Sequence, residues 1–121
     1  MADLQMGAVE SRFADIIWQN EPLSSAELAK LSEKELNWKK TTSYTVLKRL
    51  CDKGIFQNNK GTVTSVISKE EFYSMQSEKF VEETFDGSLP AFLTAFTARK
   101  NLTQEEVNYL RRMVDEYKEE S

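Results

Sequence analysis

The chain has 121 residues, 40% of them hydrophobic and 30% charged, and a formal net charge of −4. This composition fits one soluble globular domain, or a small domain with an appendage, and excludes a disordered chain. No apolar run approaches membrane-spanning length, and a single cysteine, Cys51, excludes an internal disulfide and any thiolate cluster.

The first helix is expected over residues 8–20, where Val9, Phe13, Ile16 and Ile17 follow helical spacing and Pro22 stops the run. A capping box, Ser24-x-x-Glu27, opens the second helix, with Leu23 and Leu28 as its hydrophobic staple. This helix runs from Ser25 to about Glu35 and buries Leu28 and Leu31. A short connection through Asn37 and Trp38 leads into the third helix, which Gly54 ends by taking the left-handed conformation.

The third helix divides into two faces. At about 100° per residue, Thr41, Thr42, Thr45, Lys48, Arg49 and Asp52 share one arc. Ser43, Val46, Leu47, Leu50 and Cys51 fall opposite, with Tyr44 at the border. One face is built for burial and the other offers hydroxyls and cations. That is what a helix needs to enter the major groove, where cations meet phosphates and side-chain donors meet base edges. An ordinary solvated amphipathic helix has the same pattern, so the surrounding charge decides between the two. Residues 39–60 carry Lys39, Lys40, Lys48, Arg49, Lys53 and Lys60 against Asp52 alone, a local +5 inside an acidic chain. Local sign outweighs the total, because charges are screened beyond about 8 Å at physiological salt.

Strand formers then replace the helical pattern. Ile55, Phe56 and Gln57 and the run Val63 to Ile67 flank the turn signal Asn58-Asn59-Lys60-Gly61, which predicts a β-hairpin. Three helices followed by a hairpin predict a winged helix-turn-helix over residues 1–68. Residues 69–121 are expected to form a C-terminal helical dimerisation domain. Its helices span Lys69 to about Phe85, burying Phe72, Met75 and Phe80; a short stretch with Pro90 in its first turn; and Gln104 to about Glu119. Ser68-x-x-Glu71 and Thr103-x-x-Glu106 repeat the capping box at two of these starts. Leu89, Phe92, Leu93 and Phe96, with Val107, Leu110, Val114 and Tyr117, make apolar stripes too large for the remaining chain to hide, which points to pairing with a second copy. Packing back onto the N-terminal domain is the alternative.

The chain has no histidine, which removes the commonest general base and zinc ligand. Its four scattered glycines form no phosphate loop. Acidic pairs such as Glu70-Glu71 and Glu105-Glu106 read as solvated helix faces. No enzyme, cofactor or metal site is expected. Cys51 lies on the apolar face and reads as a core filler rather than a reactive thiol. The first residues lack a secretory pattern, and the cysteine usage fits the cytoplasm.

The stretch from Trp38 to Phe56 resembles the third helix and first wing strand of the penicillinase repressor family (BlaI/MecI/CopY type). Glu10 through Trp18, Leu23 through Glu27 and Phe85 through Leu89 match the family in the same order. The resemblance implies a cytoplasmic bacterial repressor that binds a dyad-symmetric double-stranded DNA operator as a homodimer. It places Lys40, Thr41, Thr42, Tyr44, Thr45, Lys48 and Arg49 on the DNA-facing helix. Lys39, Lys48 and Arg49 are expected mainly at phosphates, and Thr42 and Thr45, with Arg49 or Tyr44, at base edges.

The departures are informative. The family's wing carries an arginine after the turn glycine; here Thr62 follows Gly61 and leaves Lys60 as the wing cation. Paired Cys-x-Cys motifs of copper-responsive members are missing, so copper sensing is not expected. Members released by a membrane-bound sensor protease are cut between asparagine and phenylalanine. The matching pair here is Ala95-Phe96, where the asparagine is lost and Phe96 also fits the apolar stripe. A winged-helix module that binds protein rather than DNA is the other reading, suggested by the sparse wing and the acidic total charge.

Overall fold

Local stop and start signals set the architecture. The computed structural model describes residues 5–118. Helix α1 (Ala8–Asn20) begins where the Gly7 N–H donates to Glu10 Oε1 at 3.2 Å, and its buried face carries Phe13, Ala14, Ile16 and Ile17. Helix α2 (Ser25–Leu36) opens on the expected capping box: Ser24 Oγ accepts from the Glu27 N–H at 3.0 Å, and Glu27 Oε1 accepts from the Ser24 N–H at 3.3 Å. Asn37, at φ 58°, closes it in the left-handed region, which asparagine tolerates better than most residues. Helix α3 (Lys40–Asp52) follows after Trp38 and Lys39, and Gly54 at φ 85° turns the chain out of it.

The hairpin belongs to a three-stranded antiparallel sheet of order β1-β3-β2, rather than standing alone as expected. Strand β1 (Leu23–Ser24) lies beside β3 (Thr62–Ser65), pairing Leu23 with Val63 and Ser24 with Thr62. Strand β2 (Phe56–Asn59) pairs β3 with Asn59 opposite Thr62, which leaves Lys60 and Gly61 as the turn. Both have positive φ, 52° and 91°, the geometry of the type I′ turn that matches the twist of the flanking strands. The Asn58 side-chain oxygen accepts from the Gly61 N–H at 2.9 Å and fixes the turn.

One core holds these elements together. Phe13, Ile17, Leu28, Leu50, Ile55, Phe56 and Val63 are buried in a single cluster. Each such side chain contributes about 1.5–3 kcal/mol when fully buried. The Phe13 ring stacks on Trp38 at 5.1 Å, tying α1 to the α2–α3 connection.

Two compact units result, divided between Lys79 and Phe80 within α4 (Lys69–Phe85). In the first, Phe72 is buried in the core and Met75 packs against it. Lys69 Nζ lies 2.8 Å from Asp15 Oδ1, and this carboxylate holds the ammonium above the usual lysine range.

The second unit contains the end of α4, helix α5 (Leu89–Arg99) and helix α6 (Gln104–Glu116). Ser88 Oγ caps α5 through the Ala91 N–H at 3.1 Å, with Pro90 in the first turn. Thr103 Oγ1 accepts from the Glu106 N–H at 3.1 Å, and Glu106 Oε1 accepts from the Thr103 N–H at 2.9 Å. That return bond holds the Glu106 carboxyl below its ordinary range. Phe80, Phe85, Phe92 and Phe96 form a ladder of rings 5.7–6.1 Å apart. No described residue of this unit is fully buried. Two sequence expectations are corrected here. Phe80 is 49% exposed rather than buried, because the ladder covers only part of its ring. Helix α6 ends at Glu116, and Tyr117 leaves the helical stripe with an extended backbone.

Candidate nucleic-acid interface

Helix α3 presents the divided surface that its sequence predicts. Ser43, Val46, Leu47 and Leu50 are buried, while Lys39, Lys40, Thr41, Thr42, Tyr44, Thr45, Lys48 and Arg49 are exposed. Burying the apolar stripe against α1, α2 and the sheet forces the opposite face outward. Tyr44, at the border, is 38% exposed. Asp52 is the acidic residue on this exposed arc, at its C-terminal end.

The exposed groups differ in how they are held. Thr45 Oγ1 donates to the Thr41 carbonyl at 2.9 Å, so its hydroxyl keeps only acceptor capacity toward a ligand. Thr41 and Thr42 hydroxyls have no hydrogen-bond partner among the described residues. The N-cap residue of α3, Lys39, makes no side-chain capping hydrogen bond, so the first-turn amide N–H groups of this helix are not satisfied by their own cap. Lys39, Lys40, Lys48 and Lys60 have no ion-pair partner among the described residues. Arg49 differs: its guanidinium lies 3.3 Å from Glu10 Oε2. Sequence spacing gives no signal for this pair, since its members lie 39 positions apart.

The wing is polar. Gln57 Nε2 donates to Thr64 Oγ1 at 3.0 Å across the hairpin, and Lys60 stands exposed at the tip. Glu21 fastens the wing's root: Oε1 accepts from the Ser65 N–H at 2.8 Å, and the Ser65 hydroxyl reaches both carboxylate oxygens at 2.8 and 2.9 Å. Glu10 and Glu21 therefore brace this surface from half-buried positions, and Asn58 fixes the wing's turn from an exposed one. Only Asn58 carries a local sequence signal, as the first residue of the Asn-Asn-Lys-Gly turn.

Cys51 is half-buried, and burial, reinforced by the Asp52 charge, pushes its thiol up. In the second unit, Phe92, Val107 and Leu110 are half-buried, whereas Leu93, Phe96, Val114 and Tyr117 are exposed. Ala95 and Phe96 lie inside α5, both exposed and both helical.

Helices α2 and α3 joined by a tight turn, braced by α1 and flanked by a hairpin, define a winged-helix protein with a C-terminal helical region. The sequence model of the penicillinase repressor family matches residues 6–116, and the chain belongs to that family. A penicillinase repressor from Bacillus licheniformis is 27% identical over 118 residues, covering 94% of this chain and 92% of its own length. The methicillin resistance regulatory protein MecI from Staphylococcus aureus strain Mu50 is 21% identical over 115 residues, covering 92% and 94%.

Proposed function

We propose that this chain is a cytoplasmic transcriptional repressor that binds double-stranded DNA as a homodimer on a dyad-symmetric operator. The carrying observation is the exposed polar arc of α3, where lysines and threonine hydroxyls without a partner among the described residues stand side by side. Membership of a family with relatives named as repressors supports the same reading.

In this reading α3 lies in the major groove. The N-terminal half of such a helix comes closest to base edges, which suits Thr41, Thr42, Tyr44 and Thr45. Lys39, Lys40 and Lys48 neutralise phosphates beside it, and Lys60 reaches the backbone from the wing. Residues 69–121 make the dimer. Phe92, Leu93, Phe96, Val107, Leu110, Val114 and Tyr117 supply the apolar surface that one protomer leaves uncovered. The two α3 helices of such a dimer fall one or more helical turns of DNA apart, which requires a dyad-symmetric target.

The experiment is a salt titration of binding to genomic fragments retained by the purified chain. Replacing Lys48 with alanine removes one phosphate contact and lowers the log–log salt slope by about one. Retention of no fragment, or an unchanged affinity and slope for Lys48→Ala, would overturn the proposal.

A further inference from the structure

Two cations of the basic segment do not behave like the others. Arg49 and Lys53 are four positions apart, hence on one side of the end of α3. Arg49 reaches Glu10 Oε2 at 3.3 Å, and Lys53 Nζ donates to the Gln5 carbonyl at 2.5 Å. Both partners belong to the segment that leads into and begins α1. Glu10 is itself held, because its other oxygen, Oε1, accepts from the Gly7 N–H at 3.2 Å. The carboxylate thus joins the start of α1 to the end of α3. Glu10 is the more enclosed partner, its side chain 22% exposed against 52% for Arg49.

We infer that Arg49 is a positioning residue rather than a phosphate or base contact, and that Glu10 is its counterpart. The inference rests on the DNA-binding reading above and assigns roles within it. The Glu10–Arg49 pair, seconded by Lys53, fixes the angle at which α3 leaves the body of the domain. Base readout depends on that angle because bidentate and hydroxyl contacts in the groove tolerate little displacement. Attraction to phosphates does not, since it acts over a Debye length. The phosphate-facing cations are then Lys39, Lys40, Lys48 and Lys60, while Arg49 stays on its carboxylate. An exposed pair of this kind adds little to stability, so its consequence is geometric.

The test compares two probes: a genomic fragment retained by the wild-type chain, and a mixed-sequence duplex of equal length. Arg49→Ala and Glu10→Gln are assayed on both, beside Lys48→Ala. Glutamine at position 10 keeps an acceptor for Gly7 but loses the charge that holds Arg49. Both variants should lower the preference for the retained fragment by about fivefold or more, the order of one lost base contact. Binding to the mixed-sequence duplex, and the salt slope on it, should stay at wild-type values. The double variant should lose no more preference than either single one, because one interaction is removed in all three.

General unfolding would weaken both probes together and would overturn the inference. A direct phosphate role would lower the salt slope of Arg49→Ala by about one, as for Lys48→Ala, and would also overturn it. So would tighter binding of the retained fragment by Glu10→Gln, because it would mean the carboxylate withholds Arg49 from DNA. A wild-type chain that retains no fragment defeats the DNA-binding reading itself, and the positioning role with it.

Discussion

The Trp18 indole N–H donates a 3.0 Å hydrogen bond to the carbonyl of Ile67, joining the end of α1 to the residue between the wing and α4. The same indole meets the rings of Phe56 and Phe72 at 5.2 and 5.6 Å. One side chain therefore gathers the sheet, α1 and α4. Trp18→Ala should lose about 3 kcal/mol or more of unfolding free energy. Trp18→Phe should lose less, about 1–3 kcal/mol, chiefly from the orphaned Ile67 carbonyl. Urea denaturation checks both values, and wild-type stability of Trp18→Phe would show that the hydrogen bond contributes nothing.

Ser43 is buried within α3, and its hydroxyl has no hydrogen-bond partner among the described residues. A buried unsatisfied hydroxyl costs free energy, and alanine is the better helix former. Ser43→Ala should raise the unfolding free energy by about 0.5–1.5 kcal/mol. DNA binding should not change, since the side chain points away from the exposed arc. A melting temperature below wild type would refute the assignment.

Lys60 combines two properties that one substitution can separate. It is the wing's cation, and it holds a φ of 52° that disfavours a lysine. Asparagine is preferred at this position of a type I′ turn before glycine. Lys60→Asn should therefore stabilise the fold by a few tenths to about 1 kcal/mol while lowering the salt slope of DNA binding by about one. Thermal melting and a salt titration give the two readings. An unchanged slope would remove Lys60 from the interface.

Val114 is 73% exposed in the protomer. An aspartate there costs the isolated fold little, but in an apolar interface between copies it buries an unpaired charge. Val114→Asp should convert a dimer to folded monomers in sedimentation at micromolar concentration, with helical content unchanged. A wild-type chain that is already monomeric there would defeat the dimer assignment.

Features encoded by neighbours in the chain were legible from sequence. The Ser24 and Thr103 boxes, the Gly54 stop and the two faces of α3 all follow from residues within one or two helical turns of each other. Features set by distant partners were not. Strand β1 went unseen because Leu23 and Ser24 already had a local explanation as staple and cap; only their register with Val63 and Thr62 makes them a strand. Phe80 looked buried because it continues a helical stripe, yet the ladder of rings leaves half its surface open. The Glu10–Arg49 pair joins α1 to α3 across the fold, so a cation counted with the polar arc proved to be tethered.

The Glu21–Ser65 linkage at the root of the wing has a bearing on kinetics. Glu21 caps the end of α1 whose beginning carries Glu10, so the hairpin and α3 are both referenced to one rigid rod. In the DNA-binding role proposed for this chain, a surface built this way would meet its target already shaped, with little backbone order left to acquire on contact. Loosening this linkage would turn a lock-and-key encounter into a search for the right hairpin pose, slowing productive capture without altering a single group that touches the duplex.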